Sequence, residues 1–124
     1  MAIHPTNSNL LYFPSPFRGG IYHSANGGSS WVKRTQGLLN TNVSLIALGS
    51  QDGSTLYSTS VSGEGTFKSS DYGSHWTNVT EGGIEHPWAD ELAVSPVNQQ
   101  VVWEVADVGK LFVSQNGGVN WSMV

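Results

Sequence analysis

Short stretches in which apolar and polar residues alternate recur along the whole chain, each closed by a cluster of Gly, Ser, Asn, Asp or Pro. No stretch repeats its apolar residues at helical spacing. Aligned on Trp31, Trp76 and Trp121, which stand about 45 residues apart, the stretches fall into register. Strand A is predicted at Ala2-Ile3-His4, Ala47-Leu48-Gly49 and Ala93-Val94-Ser95, a small residue followed by a branched one. A polar turn leads to strand B at Leu10-Leu11-Tyr12-Phe13, Thr55-Leu56-Tyr57-Ser58 and Val101-Val102-Trp103-Glu104, so that Tyr12, Tyr57 and Trp103 share a register position. Strand C is predicted at Gly20-Ile21-Tyr22-His23, Gly65-Thr66-Phe67-Lys68 and Lys110-Leu111-Phe112-Val113. Strand D starts at each tryptophan.

Between strands C and D the same eight-residue phrase returns. It reads Ser24-Ala25-Asn26-Gly27-Gly28-Ser29-Ser30-Trp31, then Ser69-Ser70-Asp71-Tyr72-Gly73-Ser74-His75-Trp76, then Ser114-Gln115-Asn116-Gly117-Gly118-Val119-Asn120-Trp121. Asn-Gly at 26–27 and 116–117 predicts a tight hairpin with positive φ at both residues. The Asn or Asp side chain is expected to accept a backbone N–H two residues on, and the Ser hydroxyl to do the same more weakly. A side chain at Gly28, Gly73 or Gly118 is expected to clash, and the indole is expected to bury itself against the turn.

The phrase Ser-x-Asp/Asn-x-Gly-x-x-Trp resembles the Asp-box, or BNR, repeat. That family builds β-propellers in sialidases, xyloglucan-cleaving endoglucanases, sortilin-type receptors and photosystem assembly factors. The middle copy matches in full, while Asn26 and Asn116 replace the usual Asp, keeping the acceptor oxygen and dropping the charge. The resemblance implies that Ser24, Asn26, Gly28, Trp31, Ser69, Asp71, Gly73, Trp76, Ser114, Asn116, Gly118 and Trp121 brace the fold rather than carry chemistry. Four strands per repeat and short turns at this period likewise describe a propeller blade. The expected fold is all-β, with three four-stranded antiparallel blades at about 1–40, 41–85 and 86–124.

Three blades are fewer than the four to eight with which propellers typically close. The chain begins within strand A and stops after strand D, which suits a cyclic assembly or a piece of a longer propeller. The expectation is a homodimer or other cyclic homo-oligomer, a second copy completing a six-bladed ring, because open blade faces would leave large apolar patches wet.

Composition narrows the function. With five Lys plus Arg and a net charge of −4, the chain has no basic footprint for nucleic acid. Cysteine is absent, which excludes disulfides and thiolate chemistry. No long apolar run predicts membrane insertion, and the first residues lack a signal peptide's pattern, which leaves the compartment open.

The ligand face is expected where strands B join C and strands D join A, at 14–19, 61–64, 106–109, 35–42 and 80–89. The densest chemistry is Glu85-His86-Pro87-Trp88-Ala89-Asp90-Glu91. Trp88 suits stacking on a sugar ring, Asp90 and Glu91 suit roles as hydrogen-bond acceptors or acids, and Arg18 is the one arginine in such a loop. Arg18, His86, Trp88 and Asp90 are the candidate ligand-binding residues for a glycan or protein. A sialidase-like site needs three arginines on one carboxylate, and the chain holds only Arg18 and Arg34. A glycosidase needs two facing carboxylates; Asp90, Glu91, Asp107 and Glu64 are candidates without an evident pair, and Asp52 and Asp71 read as turn residues. His4, His23, His75 and His86 lack ligand spacing, so no metal or other cofactor is expected. The reading is a non-catalytic binding or scaffold module, with a hydrolase fragment and an assembly scaffold for a membrane complex as the alternatives.

Overall fold

The computed structural model describes residues 1–17, 19–60, 63–80, 88–106 and 108–124. Its strands are β1 (Ala2–Ile3), β2 (Leu11–Ser15), β3 (Gly20–Ser24), β4 (Val32–Arg34), β5 (Val43–Leu48), β6 (Leu56–Ser60), β7 (Thr66–Ser69), β8 (Thr77–Asn78), β9 (Ala89–Val94), β10 (Val102–Ala106), β11 (Lys110–Ser114) and β12 (Ser122–Met123). They form three four-stranded antiparallel sheets, each a meander of consecutive strands. Among the described residues no helix is long and apolar enough to cross a membrane.

The register repeats from sheet to sheet. Ala2, Ala47 and Ala93 lie opposite Tyr12, Tyr57 and Trp103. The inner strands are longer in the second and third sheets than the sequence pattern indicated, since β5 starts at Val43 and β9 at Ala89. The cause is a bulge. Val43 and Leu45 pair with the adjacent residues Ser60 and Thr59, which leaves Ser44 as an extra residue, and Ala89 and Glu91 bracket Asp90 in the same way opposite Ala106 and Val105. A bulge breaks the period-two alternation, so the first half of each strand does not look like one.

The three C–D hairpins are braced alike. Each serine hydroxyl donates to the Asn or Asp oxygen two residues on, at 3.0 Å from Ser24 to Asn26, 2.9 Å from Ser69 to Asp71 and 3.0 Å from Ser114 to Asn116. The same hydroxyl accepts the N–H of Gly28, Gly73 or Gly118 at 2.8–2.9 Å. The Asn or Asp oxygen accepts the N–H of Ser30, His75 or Asn120, four residues on rather than two. Positive φ also falls one residue later than Asn-Gly suggests, at Gly27 and Gly28, Tyr72 and Gly73, and Gly117 and Gly118. At Gly28 this φ of 90° is the constraint, because a Cβ there would meet Leu11 and Trp31 only at an ordinary 3.6 Å.

The hairpin carboxylate is held low. Hydrogen bonds, first from the His75 N–H, bring Asp71 to about 2, and its Oδ2 lies 2.6 Å from His75 Nδ1. Because its folded value is depressed, the contribution of Asp71 to stability is complete above pH 4 and is lost as pH falls toward 2. Asp71→Ala leaves turn donors without an acceptor and is expected to cost about 1–2 kcal/mol at pH 7, read from the denaturant midpoint.

The apolar core lies between sheets. Tyr12 and Ile21 of the first meet Leu56, Phe67 and Trp76 of the second. Tyr57 of the second meets Val102, Phe112 and Trp121 of the third. The second junction is also closed by hydrogen bonds: Tyr57 Oη and Lys68 Nζ both donate to the Gly117 carbonyl at 3.1 and 3.0 Å, and Trp121 Nε1 donates to Val79 O at 2.9 Å. The first is held by Arg34 Nη1 donating to Ser74 Oγ at 3.0 Å and the Trp76 N–H donating to Gln36 O at 2.9 Å. Gly37 at φ 90° permits this last approach, since a Cβ would lie 2.1 Å from the Trp76 carbonyl.

Candidate functional site

Loops join strands at two ends of the sheets. At one end are the B–C loops and the D–A links, where the sequence pattern places a ligand. The B–C loop of the second sheet is tied down by Glu64, whose Oε1 accepts from Asn40 Nδ2 at 2.8 Å and whose Oε2 accepts from Ser60 Oγ at 2.5 Å. These bonds, the Ser60 one foremost, lower its pKa, so Glu64 is an ionised tether between its loop and the link that enters β5.

Trp88, just before β9, is 66% exposed. Its indole lies over Gly63 of the same B–C loop; a Cβ at Gly63 would stand 2.0 Å from the ring nitrogen. The ring therefore shares the loop end with Glu64 and keeps most of its surface open. Asp90 is exposed and lies within β9 rather than in a loop, a correction to its expected position. It is the bulged residue of that strand, and bulges re-aim a side chain at the rim of a sheet. Trp88 and Asp90 are thus brought within one short segment, while Arg18 and His86 lie outside the described residues, as do Glu85 and Asp107.

Glu91 follows Asp90 on β9 and is exposed, while Asp52 and Glu104 are committed elsewhere. Asp52, in an A–B turn, takes the Ser50 hydroxyl at 2.6 Å and the Ser54 N–H at 3.0 Å, and those bonds bring it to about 2. Glu104 is fully buried on β10 and accepts from Thr66 Oγ1 of the preceding sheet at 2.5 Å; burial pushes its carboxyl up to about 7. His4 is a buried strand-end residue whose Nδ1 accepts the Thr6 N–H at 3.2 Å and whose ring lies against Gly53. Among the described residues no group of three or more His, Asp or Glu side chains could hold a metal ion.

A depression lies at the opposite end. A cleft of about 430 Å³ opens where the inner strands converge, lined by Ile3, Leu48 and Val94 with Pro5, Ser50 and Pro96 of the A–B turns. The in-register branched residue that follows alanine in each strand A was the signal for it.

Three meandering sheets, packed face to face in sequence order with their first strands together, make up a segment of a β-propeller. No protein-family model matches the chain, and no curated protein matches it. Solved structures do. An ancestral GH74 enzyme superposes with a TM-score of 0.80 at 23% identity, over 97% of this chain and 17% of its own. GH74 from Niastella koreensis gives 0.73 at 24%, over 98% and 17%. YCF48 from Cyanidioschyzon merolae gives 0.72 at 17%, over 98% and 35%. The chain therefore spans about a sixth of the GH74 enzymes and about a third of YCF48, and the likeness is one of fold.

Proposed function

We propose that this chain is a non-catalytic β-propeller module whose B–C/D–A loop end binds a glycan or a protein, with its three C–D hairpins acting as Asp-box braces. The observation that carries the reading is Trp88, an aromatic ring left 66% exposed at that end, seated on Gly63 and followed by the bulged Asp90. Exposed rings with an adjacent acceptor suit stacking on a sugar or packing against a peptide side chain. Arg18 and His86 belong to the same proposal on sequence position.

Four of the described carboxylates are poorly suited to hydrolysis. Glycoside hydrolysis asks for one protonated and one ionised acid across a cleft. Glu64, Asp52 and Asp71 are held ionised by local hydrogen bonds, and the one acid held near neutrality, Glu104, is sealed between sheets. The fold likeness to GH74 enzymes keeps a second reading in view, a portion of a carbohydrate-active hydrolase. A third reading, an assembly scaffold, draws on YCF48, which has been solved bound to a D1 peptide.

Titration with xyloglucan oligosaccharides and with a peptide array distinguishes these readings. The module reading expects binding to one set, at least tenfold weaker in Trp88→Ala, with the melting temperature within about 2 °C of wild type. New reducing ends from β-glucans would favour the hydrolase reading. Affinity unchanged in Trp88→Ala would remove Trp88 from the site.

A further inference from the structure

The two internal junctions are repeats of one contact, and its parts can be read off position by position. In each, an aromatic ring from strand B of one sheet lies against the hairpin glycine of the next. A Cβ at Gly73 would stand 3.8 Å from the Tyr12 ring, and one at Gly118 would stand 3.6 Å from the Tyr57 ring. The third glycine of the set, Gly28, has only Leu11 and Trp31 of its own sheet around it. The third aromatic of the set, Trp103, is 38% exposed where Tyr12 and Tyr57 are fully buried. Among the described sheets, one half of the contact is thus left on the flank of the first and the other half on the flank of the third.

The chemistry of the two flanks matches. The first sheet presents Leu11, Phe13 and Trp31, with Phe13 and Trp31 46% and 40% exposed and edge to face at 6.4 Å. The third presents Trp103, Val105, Leu111 and Val113 in place of the Tyr57, Thr59, Thr66 and Lys68 that the second sheet offers at the same register positions. At the junction of the second and third sheets, Glu104 meets Thr66, a carboxyl against a hydroxyl. Phe13 holds the register position of Glu104, and Leu111 that of Thr66. The two outer flanks are both apolar at these positions, whereas the junction of the second and third sheets is polar on both sides and that of the first and second places Ile21 and Ser58 there.

We propose that the first-sheet flank of one copy docks head to tail on the third-sheet flank of a second copy, with Trp103 seated on Gly28 and Leu111 against Phe13. Two such junctions close a ring of two chains and cover both flanks, within the usual four to eight blades. The contact continues the packing between sheets and is independent of what the loop end binds.

Light scattering on the purified chain tests this. The expected particle has twice the 13.3 kDa subunit mass. Trp31→Arg and Leu111→Arg each place a charge in both junctions of their own dimer and are expected to run as single subunits with wild-type circular dichroism. Mixed together they are expected to pair, because Trp31→Arg retains an intact third-sheet flank and Leu111→Arg an intact first-sheet flank. A wild-type particle of one subunit overturns the proposal, as does an open-ended assembly. So does a wild-type dimer that persists in either folded variant alone, which would mean that like flanks meet like. Because complementation requires folded variants, pairing in the mixture also answers whether the substitutions simply unfold the chain.

Discussion

Replacing Trp76 or Trp121 by alanine is expected to destabilise the protein by about 3–5 kcal/mol, the usual cost of removing a large buried aromatic. Both indoles are nearly sealed, at 4% and 5% exposure, and each fills the gap between two sheets rather than a space within its own. The two sites separate under a gentler change. Trp121 Nε1 donates to the Val79 carbonyl at 2.9 Å, whereas Trp76 Nε1 is buried without a partner among the described residues. Trp121→Phe therefore strands an acceptor and is expected to lose about 1 kcal/mol beyond the packing term, while Trp76→Phe removes an unsatisfied donor and loses only packing. Urea midpoints of the four variants measure this, with equal m-values as the control. If the alanine variants melt with wild type, the tryptophans do not join the sheets. If the two phenylalanine variants are equal, the Val79 bond contributes nothing.

The contrast among the three tryptophans shows where the sequence stops being informative. Trp31, Trp76 and Trp121 occupy the same place in the same phrase, and all three are expected to be buried. Trp31 is 40% exposed because what covers such a ring comes from the preceding sheet, and no described sheet precedes the first. Strand pattern and hairpin position were legible because they depend on neighbours within a few residues. The turn geometry was less so: positive φ falls on the two residues after Asn26, Asp71 and Asn116, and Tyr72 adopts it without being glycine. The bulges at Ser44 and Asp90 hid the beginnings of two inner strands, which moved Asp90 from a loop into β9. Of the ligand-binding candidates, Trp88 was legible as an aromatic in a polar link. Its support by Gly63 was not, since that contact joins two sheets. Nor was the role of Glu104 visible. It stands in the alignment where the other repeats have Phe13 and Ser58, an irregularity whose meaning depends on Thr66 across the junction.

Glu104 accordingly carries the largest expected pH effect. Its carboxyl is fully buried, takes one hydrogen bond from Thr66, and has its Oε1 without a partner among the described residues. Lys68, the cation on β7, donates to the Gly117 carbonyl at 3.0 Å. Burial favours the neutral acid, raising the pKa from 4.5 to about 7. The sign follows from linkage. Below pH 4.5 folded and unfolded chains are both protonated at this residue, and its contribution is complete. Between there and about pH 7 the unfolded chain releases a proton that the folded one keeps, so stability falls as pH rises. The loss across that window is on the order of 3 kcal/mol. Glu104→Gln keeps a side chain able to meet Thr66 but cannot ionise. It is expected to match wild type near pH 4.5 and to exceed it by roughly 3 kcal/mol at pH 8. The difference between the two proteins is the quantity to measure, because His23, whose pKa is lowered by burial and by Arg34, acts in the opposite sense over part of the same range and cancels in the subtraction. Asp52 and Asp71, held near 2, titrate below it. Stability curves for wild type and Glu104→Gln that run parallel from pH 4.5 to 8 would mean that the carboxyl ionises at its ordinary value and that water reaches the junction between the second and third sheets.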